Sequence, residues 1–326
     1  MSSKLSDYDY PLPEALIAKR PLPRRDESRM MVLHRDSQTI EHRQFRDLQT
    51  FLQPDDLLVL NNTRVLAARR FSDDRAIEFL FLEKVGPARW KCLIRPGRKM
   101  RLGATTKIDN VTLRVEEILA DGERVVALTE DVDLYAGGSM PLPPYIGRES
   151  ESMDTERYQT IFAQTPGALA APTAGLHFTP EMLAKIPHAF VTLHVGPGTF
   201  RPVHSENITE HRMHAESFSI SEDAAAKIDK AKRIVAVGTT TIRVLEAARR
   251  ENGKLTGQTG STDLFIYPQY RFQHVDLLFT NFHLPRSTLL MLVSAFAGRE
   301  FLLRAYDEAI RERYRFYSYG DCMLIL

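Results

Sequence analysis

The stretch from Arg64 to Tyr145 constrains the fold most, because it carries strand periodicity and no convincing helix. Val111, Leu113 and Val115 alternate with Thr112, Arg114 and Glu116, and Trp90, Cys92 and Ile94 alternate with Arg89 and Lys91. A period of two turns one set of side chains inward and leaves the other in water, the pattern of a half-buried strand. Asp121-Gly122 supplies a hairpin turn before Arg124–Leu128, since both residue types tolerate the positive φ of tight turns. Pro141-Leu142-Pro143-Pro144 marks the exit. The stretch is expected to form a small antiparallel β-barrel or sandwich.

The flanking sequence alternates differently. Phe190–Val195 is a buried strand running into Gly196-Pro197-Gly198-Thr199-Phe200. Arg233–Val237 is another, followed by Gly238-Thr239-Thr240-Thr241 and a helix over Ile242–Arg250. Leu264–Tyr267 and Val275–Phe279 are further strands. Ser287 is placed to cap an apolar helix that ends before Gly298. Leu302, Ala305, Tyr306, Ala309 and Ile310 recur at the spacing of one buried helix face. Near the start, Pro13–Lys19 opens a helix, and Arg29–His34 and Thr39–His42 flank a turn at Asp36-Ser37-Gln38. The expected class is α/β: a large α/β domain formed by both chain ends (residues 1–63 and 147–326) with an inserted antiparallel β-barrel domain (64–146).

The 326 residues are 43% hydrophobic and 26% charged, a globular balance with enough chain for a substantial core. Met1–Pro13 lacks an apolar run, so no secretory signal is expected, and Leu289–Ala297 is too short to span a bilayer. Cys92 and Cys322 stand without CxxC spacing and are expected as reduced core thiols. The net charge of +1 hides an uneven distribution: seven bases and no acid lie between Lys84 and Arg101. A second group, Arg20, Arg24, Arg25, Arg29 and Arg35, is diluted by Asp26, Glu27 and Asp36. Such stretches suit a polyanion such as RNA, and equally a solvated face.

Eight of the ten histidines fall between His177 and His283, close to glycine-rich strand ends. They lie in Pro172–Phe178, Leu193–Phe200, His211–Glu216 and Asn281–Pro285, among other segments. Imidazoles at α/β strand ends suit acid–base work, because their pKa lies near neutrality and ligands bind at that edge. Gly238–Thr241, between strand and helix, would aim N–H groups and hydroxyls at an anion, although threonines also cap helices for structural reasons alone. His204, His211 and His214 could supply metal ligands, but neither HExxH nor Cys–His spacing accompanies them. No GxGxxG fingerprint is present. The residues alone indicate an α/β enzyme with an anionic ligand and histidine chemistry, and leave the substrate open.

The same segments carry a family resemblance. Asp9–Pro13, Asn61–Val65, Arg95–Arg98, Pro141–Ile146, Arg157–Thr160, Ala170–Phe178 and Leu193–Phe200 match in order. His211–Glu216, Gly238–Thr240, Thr280–Pro285, Ser287–Gly298 and Tyr314–Asp321 follow. Over nearly its whole length the chain resembles the S-adenosylmethionine:tRNA ribosyltransferase-isomerases of queuosine biosynthesis. The resemblance implies transfer of the ribosyl part of S-adenosylmethionine to 7-aminomethyl-7-deazaguanine in a tRNA anticodon. Adenine and methionine leave, and epoxyqueuosine-tRNA forms. It implies no cofactor and no metal, S-adenosylmethionine being a consumed cosubstrate. A cytoplasmic monomer without membrane contact is expected.

That chemistry asks for a base beside the sulfonium-bearing ribose carbon and an acid for the departing adenine. The resemblance makes His177, His214 and Glu216 the catalytic candidates, with His194 and His283 close behind. Asn61, Arg64, Thr173, Gly175, His194, Gly196, Gly198, Thr199, Thr239, Thr240 and His283 are expected to bind substrate. Arg95, Arg98 and Lys99 are expected to touch RNA phosphates. Three features depart from the family pattern: Gln269 in place of a glycine, Cys322 in place of a small residue, and a short Phe71–Arg75 loop without glycines. Two other readings stay open, a tRNA-binding protein without catalysis and a metal-dependent hydrolase.

Overall fold

The structure, a computed structural model, describes residues 3–196, 198, 203 and 205–326. The chain is a mixed α/β protein with two compact units. One comprises Met1–Arg64, Pro143–Arg148 and Arg157–Leu326; the other comprises Val65–Leu142 and Glu149–Glu156.

The larger unit is built on nine strands: β1 (Arg29–His34), β2 (Thr39–Gln44), β3 (Asp56–Asn61), β4 (His188–Leu193), β5 (Glu216–Ile220), β6 (Arg233–Val237), β7 (Gln258–Thr262), β8 (Leu277–Asn281) and β9 (Cys322–Ile325). They lie in the order β7-β5-β4-β3-β6-β8-β9-β1-β2. The centre, β4-β3-β6-β8, is parallel. β5 and β7 add antiparallel on one side. On the other side β9 runs antiparallel to β8 and parallel to β1, and β1 and β2 form the hairpin expected around Gln38, whose φ is +56°.

Strand side chains divide strictly between two apolar layers. Leu57 and Val59 of β3 join one core with Met31, Leu33, Ile234 and Ala236. Leu58 and Leu60 join the other with Met30, Val32, Val235 and Val237. A sheet buried on both faces needs apolar residues at every position, which is why these strands are continuous hydrophobic runs. The helices Glu222–Lys230, Thr239–Ala247, Thr288–Ala297 and Arg299–Arg311 pack into the first layer. Ser287 caps its helix as expected, accepting the Leu290 N–H at 3.2 Å. Phe45, Leu48, Phe178 and Leu183 cover the second layer.

Two expected elements are absent. Pro13–Lys19 is a single turn at Glu14–Leu16, after which Ala18 donates its N–H to the Phe316 carbonyl and the chain runs extended. Leu264–Tyr267 is irregular, and the strand instead occupies Gln258–Thr262. The Leu264 backbone is taken by side chains: its N–H by Thr262 Oγ1 (3.2 Å) and its carbonyl by Arg243 Nε (3.1 Å).

The smaller unit is a six-stranded antiparallel sheet ordered 69–71, 78–86, 89–95, 124–128, 111–118 and 105–108. It curls around Phe79, Phe81, Trp90, Cys92, Leu113, Val115 and Val126, the inward residues of the alternating pattern. The antiparallel β unit expected there is a curled half-barrel. The first strand is only three residues long, and beyond it the Asp73 side chain takes over, accepting from Asp109 N (2.8 Å) and Asn110 N (3.3 Å).

The family departures have local explanations. Gln269 holds φ +95°, a conformation that favours glycine. Cys322 is buried and free, its thiol donating to the Arg29 carbonyl at 3.3 Å, and Cys92 is likewise buried and free. In the short loop the Arg75 guanidinium lies 4.7 Å over the Phe71 ring. Among the described residues no helix is long and apolar enough to cross a membrane.

Candidate active site

The chain leaves β3 with one parallel neighbour on each side, β4 and β6, so the strand order reverses there. In open α/β sheets the crevice beyond the carboxyl ends of strands at such a point is where ligands bind. Asn61 ends β3, His194 follows β4, Gly238-Thr239-Thr240 follows β6, and Asn281 ends β8 with His283 just beyond. Their side chains form two networks.

The first is at the end of β4. Asn61 is 1% exposed, and its amide is fully engaged. It donates to the Leu193 carbonyl (3.0 Å) and Thr240 Oγ1 (3.3 Å) and accepts from the N–H groups of Leu193 and Thr63 (both 3.1 Å). It therefore ties strand end to helix start. His194 is half-buried, with Nδ1 2.8 Å from Thr63 Oγ1, and its Nε2 has no partner among the described residues. Burial lowers its pKa, which favours the neutral ring. The ring lies flat on Gly167, where a Cβ would come within 2.7 Å of two imidazole atoms.

Glu216, at the start of β5, is 6% exposed. Its Oε1 accepts the Gly196 N–H at 2.8 Å, and its Oε2 accepts from Arg243 Nη1. Gly198 packs against His214, an exposed residue whose Cδ2 lies 2.7 Å from where a Gly198 Cβ would stand.

The second network is at the end of β8. His177 is 4% exposed, in the turn Thr173–His177. The Asn281 amide N–H donates both to its Nε2 (3.2 Å) and to the Tyr317 carbonyl (3.1 Å). Nε2 is thus an acceptor, so the ring proton sits on Nδ1, facing Ser28 Oγ at 2.9 Å. Burial between Phe45 and Phe279 pulls its pKa down to about 4. His283 pairs Nε2 with Thr280 Oγ1 at 2.9 Å, and burial takes its pKa to about 3. Its backbone is held too: the Tyr10 hydroxyl donates to its carbonyl, and its N–H donates to the Tyr306 hydroxyl at 2.9 Å.

The remaining expected residues are dispersed. Thr173 is half-buried and Gly175 is buried against Phe162 and Thr160. Thr239 is buried at its helix start, and Arg64 is exposed, donating to the Ala163 carbonyl at 3.4 Å. Thr199 and His204 lie outside the described residues. Among those described, no group of three or more His, Cys, Asp or Glu is placed to hold a metal ion.

Thr63, Ser28 and Arg243 belong to these networks without having been singled out by residue chemistry. Arg243 had a readable signal, a cation inside the otherwise apolar run Ile242–Leu245. In the half-barrel the basic stretch divides in two. Lys84 pairs with Asp131 (2.6 Å), Arg89 with Glu116 (2.9 Å) and Lys91 with Glu83. Arg95, Arg98, Lys99 and Arg101 are exposed and carry no ion pair among the described residues.

Comparison with known proteins gives the family. The model of a family described as queuosine biosynthesis protein matches residues 5–325. A protein of Halothermothrix orenii is 48% identical over 99% of this chain and 100% of its own length. One of Desulfitobacterium hafniense is 49% identical over the same shares. Both are named S-adenosylmethionine:tRNA ribosyltransferase-isomerase. A crystal structure of S-adenosylmethionine tRNA ribosyltransferase from Thermotoga maritima matches with a TM-score of 0.57 and 40% identity, covering 98% of this chain and 100% of that one. The chain belongs to the queuosine biosynthesis protein family, whose members named here are ribosyltransferase-isomerases.

Proposed function

We propose that this enzyme transfers and isomerises the ribosyl part of S-adenosylmethionine onto 7-aminomethyl-7-deazaguanine in a tRNA anticodon. Adenine and methionine are released and epoxyqueuosine-tRNA is the product. The observation that carries the reading is the half-buried His194, whose Nε2 is unengaged among the described residues at the strand-order reversal.

A neutral imidazole with a spare nitrogen can take the proton from the ribose carbon beside the sulfonium. The sulfonium stabilises the pair left on that carbon, which closes onto the ribose carbon that adenine vacates, where the acceptor amine also bonds and gives up a proton. The ribose ring oxygen then displaces methionine to close the epoxide, the sulfur keeping the bonding pair. Adenine departs once its ring nitrogen is protonated, a role that suits the exposed imidazole of His214. His177, Glu216 and Asn61 hold the frame around these groups, their polar atoms being committed to neighbours. Gly198, Thr239 and Thr240 offer N–H groups and hydroxyls to the anionic end of the cosubstrate. Gly196, whose own N–H is held by Glu216, and Thr199 belong by sequence to the same substrate-binding segment, and Arg64, Thr173, Gly175 and His283 complete the set. Arg95, Arg98 and Lys99 supply unneutralised charge for RNA phosphates, in a cytoplasmic monomer that uses no metal or bound cofactor.

Purified protein given S-adenosylmethionine and tRNA bearing the modified base should release adenine stoichiometrically with modified tRNA. Absence of adenine at saturating substrate overturns the proposal. In the same assay Arg98→Glu with Lys99→Glu should raise KM for tRNA and weaken its salt dependence.

A further inference from the structure

Arg243 has no role in the reading so far, yet it is the most heavily committed buried cation in the larger unit. It sits on the first turn and a half of the helix Thr239–Ala247 and is 5% exposed. A guanidinium removed from water must find acceptors for its N–H groups, and each partner then becomes fixed relative to the others. Arg243 finds three on two segments, residues 262–264 and the start of β5. Nε donates to the Leu264 carbonyl (3.1 Å), Nη2 to the Thr262 carbonyl at the end of β7 (3.1 Å), and Nη1 to Glu216 Oε2.

The opposite oxygen of that carboxylate holds the Gly196 N–H at 2.8 Å. Gly196 opens the glycine-rich segment after β4, two residues beyond His194, and Gly198 within it rests on His214. We infer that Arg243 is a positioning residue: it orients the Glu216 carboxylate, which anchors the Gly196 amide and so fixes the backbone two residues beyond His194. With both oxygens accepting N–H groups, Glu216 acts here as a fixed acceptor. A lysine at 243 would keep the charge but lose the planar fork that reaches three acceptors at once.

The inference rests on the proposed reaction for its kinetic readout only. Arg243→Gln and Arg243→Lys should each lower kcat/KM for S-adenosylmethionine at least ~tenfold, in line with the cost of small misplacements near reacting groups. Glu216→Gln should do the same, and Glu216→Gln combined with Arg243→Gln should be no worse than the worse single change, because both cut one linkage. Millimolar guanidinium should restore part of the activity of Arg243→Ala, whereas equal sodium chloride should not. A structural readout independent of turnover is hydrogen exchange of the Gly196 amide, expected to quicken in Arg243→Lys at a melting temperature near wild type. Additive losses, or unchanged exchange in a folded Arg243→Lys protein, overturn the inference. If wild-type protein releases no adenine, the proposed reaction fails, and the exchange experiment alone decides whether Arg243 fixes the backbone at Gly196.

Discussion

His177 and His194 occupy similar places, each near the end of a central parallel strand, yet their surroundings differ, and the proposed reaction gives them opposite tasks. Around His177 every contact closes inward: Ser28 on one nitrogen, Asn281 on the other, phenylalanines on the faces. Around His194 one nitrogen is steadied by Thr63, one face rests on Gly167, and Nε2 has no partner among the described residues. The difference teaches that a histidine is fitted for proton transfer by incomplete satisfaction. Under the proposed reaction the fully paired imidazole of His177 serves as a strut.

The comparison can be broken in three ways. The largest effect should come from His194→Ala, with turnover down by about 10²–10⁴-fold and little change in melting temperature, the range for a lost general acid or base. If His177→Ala gives an equal loss at unchanged stability, the distinction collapses.

The second effect lies in stability against pH. The folded pKa of His177 is depressed to about 4 from an ordinary 6.5. Its contribution is therefore complete above about 6.5 and is lost as pH falls, when the unfolded chain takes up a proton that the folded ring refuses. On the order of 3 kcal/mol should disappear by pH 4. Calorimetric melting between pH 7 and 4 should show the decline, less steep in His177→Asn; identical slopes would remove His177 from the frame.

The smallest effect should follow Thr63→Val. Losing a hydrogen bond of about 1 kcal/mol should cost roughly fivefold in turnover by loosening the His194 ring, with KM little changed. A wild-type rate would mean that Thr63 does not orient the imidazole.

Much of the frame was legible from local pattern. Alternation over Val111–Val115 and Trp90–Ile94 follows from one wet and one buried face, and Ser287 announces its helix by a cap that depends only on neighbours in sequence. What stayed hidden depends on distant partners. Leu264–Tyr267 has strand-like composition, but an arginine 21 positions away claims its backbone. The Pro13–Lys19 region could continue as a helix were it not docked on Phe316. At the site, the histidine-bearing segments could be found, but the rank of each histidine could not. Thr63 is 131 positions from His194, and Ser28 is 149 from His177, so no local spacing encodes which nitrogen is spare.

The position of β9 has a consequence for biosynthesis. The hairpin β1–β2 joins the rest of its sheet through β9, a strand that lies roughly 280 residues later in chain order. At ~5–20 residues per second a ribosome needs on the order of 10–60 s to bridge that interval. Throughout it the edge of β1, whose Met30–Leu33 are wholly buried in the finished protein, has no strand to pair with. The nascent chain must therefore keep an apolar edge from associating elsewhere until β9 arrives.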